Sequence, residues 1–78
     1  MADETAERVR KVIAAVLKTP LERVVPKAHL VRDLGMESIK SVELIAALEE
    51  EFGIEIDEDN VGDVVTVEKA IEYVKHVL

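Results

Sequence analysis

Residues 33–52 read Asp33-Leu34-Gly35-Met36-Glu37-Ser38-Ile39-Lys40-Ser41-Val42-Glu43-Leu44-Ile45-Ala46-Ala47-Leu48-Glu49-Glu50-Glu51-Phe52. From Ser38 onward the pattern predicts an amphipathic helix. Ile39, Val42, Ile45, Leu48 and Phe52 recur at helical spacing as one inward stripe, and Leu44 and Ala47 widen it. The carboxylates fall outward. Gly53 follows, well placed to end the helix in a left-handed turn. Gly35 breaks the chain before it, and Ser38 stands where the helix begins. Position alone leaves that hydroxyl two readings. One is an ordinary helix-start serine. The other is a serine carrying a phosphodiester, for which the free N–H groups and positive dipole end of a helix are suitable company.

The remainder predicts an all-α chain. Thr5 to Leu17 form a first helix on the spacing of Ala6, Val9, Ile13, Val16 and Leu17, with Asp3, Glu4 and Thr5 as cap candidates. Lys18-Thr19-Pro20 ends it. Residues 18–36 make a long connection with Pro20 and Pro26. It carries Leu21, Val24, Val25, Leu30, Val31 and Leu34, too many apolar groups for a free linker. An ordered loop across the domain is expected, with one short turn at Leu21–Val24. Ile54 and Ile56 alternate too briefly for a strand, and Asp57 to Asp63 suit a short third helix. Thr66 caps a last helix with Glu68 in its first turn. Val67, Ala70, Ile71, Val74 and Leu78 form the inner face of that helix. Short later connections argue for a helical bundle.

The length of 78 residues allows one domain, residues 1–78. With no Cys or Trp, one Phe and one Tyr, the core must be aliphatic and there is no thiolate metal site. Residues 1–32 carry seven Lys/Arg against four Asp/Glu, net +3. Residues 33–78 carry three Lys against thirteen Asp/Glu, net −10, which completes the overall −7. That acidity argues against nucleic acid and against anionic membranes, and for basic protein partners or cations. Met1 to Glu7 is polar, so no signal peptide is expected. No apolar run nears the length of a membrane span, so the cytoplasm is the default compartment.

Few residues suit catalysis. Nothing places His29 or His76 beside Ser38, so a nucleophile–base pair is not supported and the chain reads as a non-enzyme. Asp57, Asp59, Gly62 and Glu68 match part of a calcium loop. Val61 stands where an oxygen ligand is needed, and the Thr66 cap would start a helix inside the loop, so no metal site is expected.

Asp33 to Ile39, followed by Val42-Glu43-Leu44 and by Glu49 to Ile54, closely resembles the acyl carrier protein family. Glu7-Arg8-Val9 with Val12 and Ile13 is similar to the family's first helix. Thr66-Val67, Ala70-Ile71 and Tyr73-Val74 are similar to its last. The likeness covers nearly the whole chain. It implies a small four-helix bundle, three longer helices and one short one. It implies that Ser38 carries 4′-phosphopantetheine, attached by a magnesium-dependent phosphopantetheinyl transferase from coenzyme A. Acyl groups would ride as thioesters on its thiol, sheltered by residues such as Val42, Ala47, Ile56, Val64 and Ile71. Glu37, Glu43, Glu49 and Glu50, with Lys40, would dock basic surfaces of synthases, reductases and acyltransferases in fatty-acid, lipid or polyketide-type pathways. A monomer is expected. The family's usual D-S-L is Glu37-Ser38-Ile39 here, and Lys40 stands where an acid is frequent, which favours a specialised carrier. The alternatives are an aminoacyl or peptidyl carrier, and an unmodified acidic helical interaction module.

Overall fold

Three amphipathic helices and their caps determine the architecture. The computed structural model describes residues 3–78, with the side chains at 58–60 outside the described set. Met1 and Ala2, at the start of the polar N-terminal stretch, and the side chain of Asp59, in the calcium-loop comparison, thus lie outside the described residues. Helix α1 spans Glu4–Leu17, α2 spans Ser38–Phe52 and α3 spans Val67–Val77. Short 3₁₀ turns occupy Leu21–Arg23 and Glu58–Asp63. The second of these is the expected short helix, wound more tightly than an α-helix. Among the described residues the only β-type pairing is an isolated antiparallel bridge between His29 and Thr66.

Helix α1 is capped by Asp3, whose carboxylate accepts from the Thr5 N–H at 3.0 Å. It stops at Lys18, which takes the left-handed conformation (φ 53°) without being glycine. Val9 and Ile13 of α1 are wholly buried. Helix α1 packs against both α2 and α3. Arg8 fastens it to the far end of α2: Nε meets the Glu51 carboxylate at 2.8 Å, Nη2 donates to the Glu51 carbonyl, and the guanidinium lies over the Phe52 ring. At the same end of α1, its cap residue Asp3 pairs with Lys75 of α3.

The long loop is ordered, as its apolar content predicts. Val24, Ala28 and Leu30 are buried, each full aliphatic side chain contributing about 1.5–3 kcal/mol. Val25 and Val31 point outward instead. Arg10 holds the loop against α1 by donating to the carbonyls of Val24 (2.7 Å) and Leu21 (3.1 Å). Backbone bonds then join the loop to the start of α3: Leu30 N–H to Val65 O, Val67 N–H to Ala28 O and Glu68 N–H to Pro26 O. The turn before Gly35 is capped by an unusual residue. His29 Nδ1 accepts from the Val31 and Arg32 N–H groups, and Asp33 returns a carboxylate oxygen to the His29 N–H at 2.7 Å.

The inward face of α2 differs from the expected stripe. Leu44 and Leu48 are its buried residues, flanked by Ile45 and Phe52. Ile39 is 68% exposed and Val42 60%. Helical geometry explains this. Nine positions separate Ile39 from Leu48, which at about 100° per residue puts them on opposite faces. Helix α3 buries Val67, Ala70, Ile71 and Val74, as its spacing predicts, while Leu78 lies beyond the helix end and is exposed. Thr66 Oγ1 caps α3 by accepting from the Lys69 N–H.

Candidate functional site

Ser38 occupies the first position of α2, and Glu37 is the N-cap residue. Glu37 makes no side-chain capping bond, and α2 has no acid in its first turn. The Lys40 and Ser41 N–H groups donate to the Glu37 carbonyl. Those of Ser38 and Ile39 meet no acceptor among the described residues. The Ser38 side chain is exposed and its hydroxyl makes no hydrogen bond to any described residue. A capping serine would spend its oxygen on an N–H two or three positions along, so Ser38 is not a cap. Its carbonyl accepts from Ser41 Oγ at 2.6 Å, tying down the first turn. Gly35, at φ 69°, bends the chain into the helix with open space around it.

The expected docking residues fall into distinct environments. Glu37, Glu43 and Glu50 are exposed. Lys40 pairs with Glu43 at 3.0 Å, one helical turn apart. Glu49 is half-buried, and its carboxylate accepts from the Ile56 N–H at 2.9 Å. Beside these, Ile39, Val42 and Ala46 are exposed on the same outer face of α2 as Glu43 and Glu50. The sequence reading turned Ile39 and Val42 inward and so missed this apolar strip next to Ser38. Helical angles counted from Leu48 would have found it.

Between α2 and α3 lies an apolar cavity of about 70 Å³. Leu44, Ile45 and Leu48 line it from α2, Ala70 and Tyr73 from α3, and Ile56, Val61 and Val64 close one side. Leu30 and Met36 of the loop close the other. Of the five residues expected to shelter an acyl chain, Ile56 and Val64 line this cavity. Three are placed elsewhere. Val42 is on the surface, rotated about 100° from the cavity-lining Ser41. Ala47 faces a separate groove against Val12, Ala15 and Val16 of α1. Ile71 is buried in the core next to the cavity wall formed by Ala70.

Titration adds one perturbed group far from Ser38. The Lys75 ammonium bonded to Asp3 holds its carboxyl below the usual carboxylate range, with the Thr5 N–H assisting against some desolvation. No helix among the described residues is long and apolar enough to cross a membrane. No group of three or more acidic or histidine side chains among the described residues is arranged to hold a metal.

With Ser38 at the mouth of α2 and an apolar cavity behind it, comparison with known proteins is informative. The family described as "Phosphopantetheine attachment site" matches residues 7–74. Two curated proteins named acyl carrier protein, from Nitratidesulfovibrio vulgaris strains Hildenborough and Miyazaki F, are each 46% identical over 70 residues. Those alignments cover 90% of this chain and 92% of each relative. The chain belongs to the acyl carrier protein family. It is a carrier whose cofactor is covalent 4′-phosphopantetheine, and carriers of this type interact with a phosphopantetheinyl transferase and with acyl-processing enzymes.

Proposed function

We propose that the chain is a single, non-catalytic carrier domain with the phosphopantetheine arm on Ser38 Oγ. The observation that carries this reading is the exposed Ser38 hydroxyl, unbonded at the start of α2, beside two N–H groups that meet no acceptor. A phosphodiester is an anion, and the first turn of a helix suits it through its free donors and positive dipole end. The arm supplies a thiol that holds acyl groups as thioesters. The chain itself has no Cys to compete for them.

Cargo would be sheltered between α2 and α3, against Leu44, Ile45, Leu48, Ile56, Val61 and Val64. At about 70 Å³ the space is small beside the roughly 300–1,000 Å³ of ordinary ligand pockets. Long cargo therefore requires the walls to part. Docking would use the outer face of α2, where Ile39 and Val42 supply apolar contact and Glu37, Glu43 and Glu50 supply charge. Exposed charges of this kind steer encounter more than they hold a complex, which suits a carrier that visits fatty-acid, lipid or polyketide-type enzymes in turn. Lys40, by pairing with Glu43, lowers the acidity next to Ser38 and favours a specialised set of partners. The cytoplasm is the compartment this implies.

The test is intact mass after incubation with coenzyme A, magnesium and a broad-specificity phosphopantetheinyl transferase. The expected result is a gain of one phosphopantetheine group by the wild-type chain and none by Ser38→Ala. No gain, or an equal gain in the variant, overturns the assignment.

A further inference from the structure

Glu49 is an acid of the docking helix by sequence, yet its carboxylate is turned toward its own chain. It sits in the last turn of α2. Its carbonyl accepts from the N–H groups of Gly53 and Ile54, and its side chain accepts from the N–H of Ile56. One residue thus receives three consecutive-turn donors and folds the chain leaving α2 back along the helix. The residue brought in by the third bond is Ile56, which is buried and lines the cavity between α2 and α3. Beyond it the same segment supplies Val61 and Val64 to the same wall. Gly53, in the left-handed conformation at φ 63°, makes the reversal possible.

We propose that Glu49 is a positioning residue, a latch whose bond to the Ile56 N–H sets how readily the cavity widens for cargo. Placing a long chain between α2 and α3 pushes Ile56 away from α2 and breaks this bond. The bond's free energy therefore opposes filling. Removing the acceptor removes that opposition, and the equilibrium shifts toward the widened state by the amount the bond had contributed. The carboxylate acts here as an acceptor and not as a charge, which separates this role from docking. The inference deepens the carrier reading and rests on it for the nature of the cargo.

Two variants and two readouts test it. Amide hydrogen exchange of Ile56 is measured on the unmodified chain, so it does not depend on any cofactor. In Glu49→Ala it is expected to rise about tenfold, the factor that loss of one such hydrogen bond produces. In Glu49→Gln, which keeps an oxygen acceptor without the charge, it is expected to stay within about twofold of wild type. The second readout is the lability of a decanoyl thioester to hydroxylamine, taken relative to an acetyl thioester on the same protein. That ratio is expected to fall in Glu49→Ala, because the longer chain is sheltered more of the time, and to hold in Glu49→Gln. Unchanged exchange in Glu49→Ala overturns the latch, as does equally fast exchange in both variants. An unchanged or raised lability ratio in Glu49→Ala also overturns it. If the chain accepts no acyl-phosphopantetheine at all, the carrier reading fails while the exchange data still decide whether Glu49 holds Ile56.

Discussion

The long loop of residues 18–37 and the segment of residues 54–64 both wall the cavity, and they are held in different ways. The loop is fastened on both sides. Arg10 donates to two of its carbonyls from α1, and its backbone exchanges three hydrogen bonds with residues 65–68. Its apolar residues Val24, Ala28 and Leu30 belong to the deepest core. The segment leaving α2 is drawn in by a side chain, Glu49, and contributes Ile56 at the edge of the core. A backbone ladder and buried leucine resist displacement together. The Glu49 carboxylate bond sits at a half-buried position, where it breaks more readily than a buried backbone ladder. The cavity thus has one wall tied by a backbone ladder and one drawn in through the Glu49 side chain.

Breaking each wall in turn should expose the contrast. Leu30→Ala, at 1% exposure in the laddered wall, is expected to cost about 3–4 kcal/mol by thermal or urea unfolding. Ile56→Ala, in the wall drawn in by Glu49, is expected to cost clearly less, about 2 kcal/mol. Equal losses would erase the distinction. Arg10→Met keeps much of the side-chain packing but removes the donors to Val24 and Leu21. A loss of about 2 kcal/mol is expected, with faster exchange of loop amides from Leu21 to Leu30. An unchanged loop would mean that burial alone holds it. Adding salt should raise the melting temperature modestly, since residues 33–78 carry net −10 and screening relieves their repulsion. A salt-indifferent chain would show that internal pairing already neutralises them.

The smallest effect concerns Asp3 and pH. Its carboxyl is held below the usual range by Lys75, so the pair stabilises the fold at pH above the ordinary carboxylate value. That contribution disappears as pH falls through the lowered value. Asp3→Asn should therefore melt slightly earlier than wild type near neutral pH, and the two melting curves should converge in strong acid. A difference that persists at low pH would point to helix capping by the side chain, not to the ion pair.

Much of this was legible in the chain, for reasons that differ by region. Asp3 and Thr66 act locally, each capping an N–H two or three residues ahead, so their roles follow from spacing alone. Gly53 ends α2 for an equally local reason. The inner face of α3 follows from periodicity because its apolar residues form one stripe. Helix α2 carries two apolar strips, one inward through Leu44 and Leu48 and one outward through Ile39 and Val42. A pattern that merges them assigns the outer pair to the core, which is what happened to Val42. The partners of Arg10 and Glu49 were not legible at all. They depend on the paths taken by the loop and by the turn after Gly53, which no spacing rule encodes. The use of His29 Nδ1 as a cap acceptor was hidden for a further reason, since histidine is not among the residues that ordinarily do this. Ser38 was legible as a position. That it is not a cap required the geometry of Glu37 and of the first turn.

The side-chain bonds around α2 also redraw its charge. Glu43 is matched by Lys40, Glu51 by Arg8, and Glu49 is turned to Ile56. Among the described residues this leaves Glu37 and Glu50 as the carboxylates of this stretch that make no bond. Thirteen residues separate them, which along a helix rising 1.5 Å per residue is about 20 Å. Those thirteen steps also turn the chain by a net angle of about 220° around the helix axis, so the two carboxylates stand at opposite ends of α2 and on different sides of it, with the Lys40–Glu43 pair between them. The carboxylates of α2 without a bonded cation are thus split between its two ends, while Glu43 and Glu51 are held against Lys40 and Arg8.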